Sequence, residues 1–166
     1  MIYLAAPFFN PPQLQLVKEI ERVFEIHGIN YFSPRKQHGE KPVPIRDKAH
    51  AKEVFTENWN QILANSSMVL AVMDYLMPDG SWMFITRKDQ PTIPVQLPDT
   101  GTVWEMGAAF AIRTPVVLFT NDPARKMNLM LACSALGVIK GLPKLDEWCR
   151  DGCGPSHLEE YEGAYT

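Results

Sequence analysis

Short apolar runs alternate along the chain with longer segments in which apolar residues recur at helical spacing. The runs predict buried strands at residues 2–6, 29–32, 68–73, 115–119 and 138–139. The longer segments predict helices between them, the first with Leu16, Ile20 and Val23 on one face. Strands that are apolar throughout and alternate with helices form a parallel sheet covered on both faces. We therefore predict an α/β fold with a doubly wound, five-stranded parallel sheet of flavodoxin-like order.

The second long helix carries one polar residue on an apolar stripe. Asp47 is predicted to cap this helix, and Asn58 falls on the stripe between Val54 and Ile62. A buried amide is costly without a partner. We therefore expect Asn58 to have a specific partner, whether a loop at the edge of the core or a group of the functional site.

Two stretches lack a regular pattern. Residues 36–46 predict a polar loop. Residues 75–98 form a much longer segment, and segments of that length in compact domains are usually lids or binding loops. Within it, residues 82–86 and 92–96 are expected to pair as a hairpin flap over the site, with packing on the surface or against another subunit as the alternative.

Composition and charge narrow the possible functions. A chain of 166 residues, 46% hydrophobic and 21% charged, has the size of one globular domain, so we predict a single domain over residues 1–166. The formal net charge of -3 and the scattered Lys and Arg disfavour a nucleic acid polymer as a partner. The chain begins directly with a strand and has no apolar run of transmembrane length, so we predict a cytoplasmic protein without a membrane partner.

The cysteines do not predict a metal or redox centre. Cys133, Cys149 and Cys153 are an odd number in a chain without an export signal, which predicts reduced thiols. Cys149, Cys153 and His157 are evenly spaced, but the glycines and the proline among them break any helix that would align them. Structural zinc sites normally have four ligands in tighter motifs. No metal site and no cofactor are predicted.

The stretch with the most candidate chemistry is residues 99–109, a polar turn that leads into a helix of small residues. Thr102 is predicted to cap this helix, with Glu105 in its first turn near the positive end of the helix dipole and Asp99 just outside. Two carboxylates there suit a site that needs one ionised group and one proton carrier or hydrogen-bonding partner. The pattern Thr102-x-x-Glu105 is equally that of a capping box, in which Glu105 only binds the backbone of Thr102.

The predicted sheet favours a functional role for Glu105. Open α/β sheets bind ligands at the carboxyl ends of their strands. The end of the first strand, at residues 3–7, is expected at that rim together with Asp74, which follows the third strand. Asp99 and Glu105 are expected at the same rim.

Five motifs, in this order, resemble the nucleoside 2-deoxyribosyltransferase family. They are residues 2–9, Phe32-Ser33-Pro34-Arg35, Asp99-x-Gly101-Thr102-x-x-Glu105-x-Gly107, Asn128-Leu129-Met130 and Tyr161-Glu162-Gly163-Ala164. The resemblance covers nearly the whole chain. It implies a double displacement in which Glu105 attacks C1′ of a deoxyribonucleoside donor, the base leaves, and a free nucleobase takes the sugar with retention.

The resemblance also implies roles for other residues. Tyr3 would hydrogen-bond and orient Glu105, while Asp99 would bind the base and help manage its proton. Asn128 would reach the sugar 5′-hydroxyl of a neighbouring subunit, so a homo-oligomer is expected. The further substrate contacts that we predict are Ala6, Pro7, Phe8, Asp74, Gly101 and Met130.

The chain departs from the family pattern at Asn58. Many members carry a catalytic Asp there, and an extra residue follows in this chain before the third strand. An amide can hydrogen-bond a base but cannot act as its general acid. The proton is then expected from Asp99 or water, or the preferred base differs. The long 75–98 segment and the final Thr166, where some relatives end in an aromatic residue, also leave purine or pyrimidine preference open.

Two other functions stay open at this point. In a deoxynucleoside 5′-monophosphate N-glycosidase, water would take the sugar from the covalent glycosyl-enzyme. That enzyme needs a phosphate-binding loop, whereas residues 5–9 are apolar. A non-catalytic nucleotide-binding module would use Glu105 only as a cap.

Overall fold

The computed structural model describes residues 1–38, 47–81, 84–85, 95–122, 124–125 and 127–161. Its strands are β1 (Ile2–Ala5), β2 (Tyr31–Phe32), β3 (Met68–Val72), β4 (Phe84–Ile85), β5 (Val95–Gln96), β6 (Val116–Thr120) and β7 (Gly137–Lys140). Five of them form a sheet in the order β2-β1-β3-β6-β7, and all neighbours in it are parallel. This order confirms the doubly wound, flavodoxin-like α/β fold.

The helices are α1 (Pro11–Ile26), α2 (Pro34–His38), α3 (Lys48–Asn60), α4 (Thr100–Ala111), α5 (Leu129–Cys133) and α6 (Leu142–Arg150). Asp47 caps α3 as predicted, because its side chain accepts a hydrogen bond from the His50 backbone N–H at 2.9 Å. The prediction of a loop from residue 36 is wrong where α2 lies. Pro34 presets a helical φ at the first position, and a single turn is too short to show periodicity. Residues 39–46 of that predicted loop lie outside the described residues.

Two apolar layers cover the sheet, one on each face. Alternation along β1 sends Ile2 and Leu4 toward α1 and α6, while Tyr3 and Ala5 face α4. The first layer includes Leu16, Val17, Ile20, Phe24, Leu145 and Trp148 of the helices. The second includes Met106, Ala109 and Ile62. A shift of one residue in β1 would exchange these faces, so the register fixes Tyr3 on the α4 side.

A π-helical turn, Gln61–Asn65, continues α3 toward β3. Such a turn holds one residue more than an α-helical turn and is frequent at functional sites. It accounts for the extra residue expected in this stretch, while Ile62 remains fully buried.

The segment between β3 and α4 contains the predicted strand pairing. Phe84 pairs with Gln96 and Ile85 with Val95 in antiparallel register, which confirms the hairpin. The other residues of the predicted hairpin lie outside the described residues, and its role as a flap stays a prediction. In the part of the chain that the structure describes, no helix has the length and apolar character needed to cross a membrane. Cys133, Cys149 and Cys153 are free thiols.

Two glycine substitutions test how the C-terminal segment packs on β7. A Cβ at Gly137 would lie 2.7 Å from Leu158 Cβ and 2.8 Å from the Glu159 carbonyl oxygen, so Gly137→Ala is expected to lower the free energy of unfolding by about 1–3 kcal/mol. Gly107, inside α4, has open space there, so Gly107→Ala is expected to raise it by about 0.5–1 kcal/mol. Chemical denaturation measures both values, and equal destabilisation by the two variants would contradict this packing.

Candidate active site

One hydrogen bond joins the first strand to the middle of α4. The hydroxyl of Tyr3 donates to Glu105 Oε1 at 2.5 Å, across 102 residues of sequence. Tyr3 is fully buried and Glu105 is partly buried. Among the described residues, nothing donates to Glu105 Oε2. Among these residues, the carboxylate is therefore held through Oε1 alone.

The end of β2 holds the Tyr3 ring in place. The rings of Tyr3 and Phe32 stack with centroids 5.6 Å apart and planes at 21°. The next residue, Ser33, donates from its hydroxyl to buried Glu21 of α1 at 2.6 Å. Arg35 Nε binds both oxygens of the same carboxylate at 2.9 and 3.0 Å. The resemblance singled out this motif, but no pattern in the sequence showed that Phe32 contacts Tyr3.

The start of α4 differs from the sequence prediction. Asp99 is the N-cap, and its Oδ2 accepts hydrogen bonds from the Thr102 backbone N–H at 2.8 Å and hydroxyl at 3.3 Å. The prediction of Thr102 as the cap, with Glu105 in the first turn, is wrong, and so is the capping-box alternative. Asp caps at least as well as Thr. Gly101 leaves the space for this contact, because a Cβ there would lie 2.9 Å from Asp99 Oδ2.

The earlier helix start changes the electrostatics of Glu105. The carboxylate lies beyond the first turn, where the effect of the helix dipole has faded. Burial raises the pKa of Glu105 to about 7, against the lowering effect of the Tyr3 hydrogen bond and with a further increase from the charge of Asp99. Burial, followed by the charge of Glu105, also raises the pKa of Tyr3, which therefore remains a proton donor. Near neutral pH, Glu105 is present in both protonation states.

Asn58 lies on the inner face of α3, next to α4. The Trp104 ring of α4 is 5.2 Å from the Phe55 ring and 5.8 Å from the Trp59 ring of α3, measured between centroids. These ring contacts pack α3 against α4. Asn58 Oδ1 is buried and has no hydrogen-bond partner among the described residues. In the described parts of the chain, this oxygen therefore lacks the loop partner considered in the sequence prediction.

Asp74 lies at the rim of the sheet on the face covered by α1, opposite the face that α4 covers. Its oxygens accept hydrogen bonds from the Thr120 hydroxyl at 2.7 Å and the Asn121 backbone N–H at 2.5 Å, and Arg125 Nη1 lies 3.6 Å away. Burial raises the pKa of Asp74. The residue lines a cleft of ≈ 250 Å³ beside α1, so the structure does not group it with Glu105. Its role in substrate binding stays a prediction.

The remaining predicted contacts lie around the same rim. Ala6 and Phe8 pack against the α1-side layer, with buried Pro7 between them. Asn128 is the exposed N-cap of α5 and accepts a hydrogen bond from the Met130 backbone N–H at 2.9 Å, while Met130 is 75% exposed. Within the described chain, neither has a contact with Glu105.

Residues 2–137 match the family model described as Nucleoside 2-deoxyribosyltransferase. The chain belongs to the nucleoside 2-deoxyribosyltransferase family. The solved structure of a 2-deoxyribosyltransferase from Bacillus psychrosaccharolyticus is similar, with a TM-score of 0.64 and 27% identity over 87% of this chain and 89% of that chain. A conserved protein from Enterococcus faecalis V583 shares the fold, with a TM-score of 0.60 and 19% identity over 90% of this chain and 96% of that chain. No protein of curated function matches the sequence.

The raised pKa of Glu105 predicts a pH-dependent cost in stability. The folded protein keeps this proton up to a pH of about 7. In the unfolded chain, Glu105 has its ordinary pKa of 4.5 and loses the proton there. Stability is therefore lost as the pH rises through this window, by roughly 3 kcal/mol. Glu105→Gln keeps an acceptor for Tyr3 without the charge. It is expected to raise the free energy of unfolding at pH 8 by roughly 2–3 kcal/mol and to change it little at pH 4.5.

Chemical denaturation at the two pH values measures this difference. Glu147→Gln on α6 is the control, because the Glu147 side chain is 46% exposed and pairs with Lys144 at the surface. A Glu105→Gln effect of the same size at both pH values would contradict the buried, proton-retaining carboxylate.

Proposed function

We propose that this protein transfers 2-deoxyribose from a deoxyribonucleoside to a free nucleobase. The observation that carries the proposal is the partly buried Glu105 carboxylate, held by Tyr3 through Oε1 alone among the described residues. A carboxylate nucleophile divides a difficult glycosidic cleavage into two easier displacements. Membership of the nucleoside 2-deoxyribosyltransferase family supports this reaction.

In the first displacement, ionised Glu105 attacks C1′ through Oε2 while the bond from C1′ to the base nitrogen breaks. The electron pair of that bond leaves with the base, and a covalent glycosyl ester remains. In the second, the ring nitrogen of another base attacks C1′, and the carboxylate leaves. Two inversions give net retention. A pKa near 7 leaves enough ionised Glu105 for attack at neutral pH.

The other predicted residues have supporting roles. Tyr3 orients the carboxylate, and Asp99, whose charge acts on Glu105, binds the base and helps manage its proton. Exposed apolar side chains on α3 and α4, with Phe55 at 50% and Trp104 at 47% exposure, support a homo-oligomer. Exposed Asn128 would then reach the site of a neighbouring subunit. A cytoplasmic role in nucleoside salvage remains part of this proposal.

The N-terminus of α1 disfavours donors that carry a 5′-phosphate. Helix N-termini bind phosphate through free backbone N–H groups. Pro11 and Pro12 have no N–H group, and the N–H of Gln13 donates to the Asn10 side chain at 3.1 Å. This arrangement favours nucleoside donors over the 5′-monophosphate donors of the alternative N-glycosidase hypothesis.

Replacement of Glu105 tests the proposed reaction. We expect the protein to convert 2′-deoxyadenosine, 2′-deoxyinosine, 2′-deoxycytidine or thymidine into a new nucleoside when a different free base is present. Chromatography separates the products. Glu105→Ala is expected to reduce transfer by roughly 10³-fold or more, because no other group supplies the covalent step.

Glu147→Ala serves as the control and is expected to retain full activity. Thermal unfolding shows whether Glu105→Ala is folded. Undiminished transfer by the folded variant would overturn the nucleophile assignment. Release of base and deoxyribose without a new nucleoside would identify a hydrolase, and ligand binding without turnover would identify a binding module.

A further inference from the structure

Gln13 is a polar residue at the start of an otherwise apolar stripe of α1. The side chains of Val17, Ile20 and Phe24 follow it at helical spacing and are buried against the sheet, and Gln13 itself is 1% exposed. A buried amide is costly unless its oxygen and its nitrogen both have hydrogen-bond partners. The partners of Gln13 therefore indicate why an amide lies at this position.

The amide of Gln13 joins the loop after β1 to the segment after β3. Its oxygen accepts a hydrogen bond from the Phe9 backbone N–H at 2.9 Å, and its nitrogen donates to the Leu76 carbonyl oxygen at 2.8 Å. The Asn10 side chain completes the link. Its nitrogen donates to the same Leu76 oxygen at 2.8 Å, and its oxygen caps α1 at the Gln13 N–H. We call Asn10, Gln13 and Leu76 the loop clamp.

The two joined segments lie at the rim of the sheet where ligands of open α/β sheets bind. β1 and β3 are parallel neighbours in which Ala5 pairs with Ala71, so the chain leaves both strands at the same rim. Tyr3 of β1 holds the Glu105 carboxylate. A donor whose C1′ meets Glu105 therefore lies outside the end of β1, beside the loop that the clamp holds. Leu76 packs against the α1-side layer, so the clamp acts on the donor through the loops and not by contact.

We propose that Gln13 is a positioning residue for donor binding, which fixes the loop after β1 against the segment after β3 before the donor arrives. The inference rests on the proposed transferase function and adds a residue to it. Without the clamp, two backbone segments have to be ordered as the donor binds, and the entropic cost of that ordering reduces affinity. Once the donor is bound, the covalent step at Glu105 has the same geometry. Loss of the clamp therefore raises KM for the donor and leaves kcat nearly unchanged.

Three variants remove the clamp stepwise. Gln13→Met keeps the length of the side chain but has no polar group for either loop. Asn10→Ser keeps an oxygen that caps α1 but lacks the nitrogen that donates to Leu76. The double variant leaves the Leu76 carbonyl without either donor. Asn65→Ala is the control, because Asn65 is an exposed amide in the turn that leads into the amino end of β3.

The kinetic test uses the best of the four deoxyribonucleoside donors and a saturating acceptor base. Each single variant is expected to raise KM for the donor by about 3- to 10-fold, and the double variant by more than either, with kcat within about 2-fold of the wild-type value. Asn65→Ala is expected to leave both constants unchanged. A fall in kcat at unchanged KM would show that Gln13 only supports the fold and would overturn the inference. Wild-type constants in the double variant would also overturn it.

Hydrogen exchange of the Phe9 amide reports on the clamp without catalysis. The Gln13 oxygen accepts from this N–H in the folded protein. Gln13→Met is expected to raise its exchange rate by about 10-fold or more, because the loop then opens more readily, while Asn65→Ala leaves the rate unchanged. An unchanged rate in Gln13→Met would contradict the clamp.

Calorimetric titration of the donor into Glu105→Gln, where the covalent step is blocked, separates this inference from the proposed function. Weaker donor binding when Gln13→Met is added to Glu105→Gln supports the positioning role, even if the wild-type protein transfers no sugar. Absence of transfer would then refute only the proposed function. Equal affinity with and without the clamp, or no donor binding by either protein, would overturn the inference.

Discussion

The hydrogen bond from Tyr3 to Glu105 depends on the position of two elements that are far apart in sequence, and much of the fold serves to position them. β1 lies inside the sheet between β2 and β3, and its register sends the Tyr3 side chain under α4. Phe32 stacks against the phenol ring, and the link from Glu21 to Ser33 and Arg35 holds the end of β2. The rotation of α4 about its axis then determines whether Glu105 lies within hydrogen-bond distance of Tyr3.

The site combines groups that a core chosen only for stability would not contain. Burial keeps the pKa of Glu105 near 7, so its ionised form weakens the folded state at neutral pH. Asn58 Oδ1 is buried and has no hydrogen-bond partner in the part of the chain that the structure describes. Strain of this kind is expected where a protein is built to complement a reacting molecule.

The fold was predictable because it depends on patterns that local sequence carries. Apolar runs separated by helical periodicity gave the sheet and its order, and Asp47 marked a helix start by its residue type alone. The start of α4 was misplaced because Asp99 and Thr102 are both good caps, and only the packing of the helix selects between them. The pKa of Glu105 followed from burial, which the sequence does not show.

Parts of the site were also beyond the sequence. Asp74 follows β3, but its hydrogen bonds to Thr120 and Asn121 lie on the α1 side, away from Glu105, and depend on tertiary structure. The stacking of Phe32 on Tyr3 joins neighbouring strands whose pairing is known only once the sheet is formed. Asn58 stood out as polar on an apolar stripe, and the structure added that its oxygen has no partner among the described residues.

Covalent attachment of the sugar to Glu105 is the most direct test of this account. The protein is mixed with 2′-deoxyadenosine without an acceptor base, quenched rapidly in acid, and analysed by intact-protein mass spectrometry and peptide mapping. The account predicts a mass increase of one deoxyribosyl group, located on Glu105 and removed when a free base is added before the quench. A protein that transfers the sugar but carries it on another residue, or never carries it at any time during a single turnover, would contradict the account.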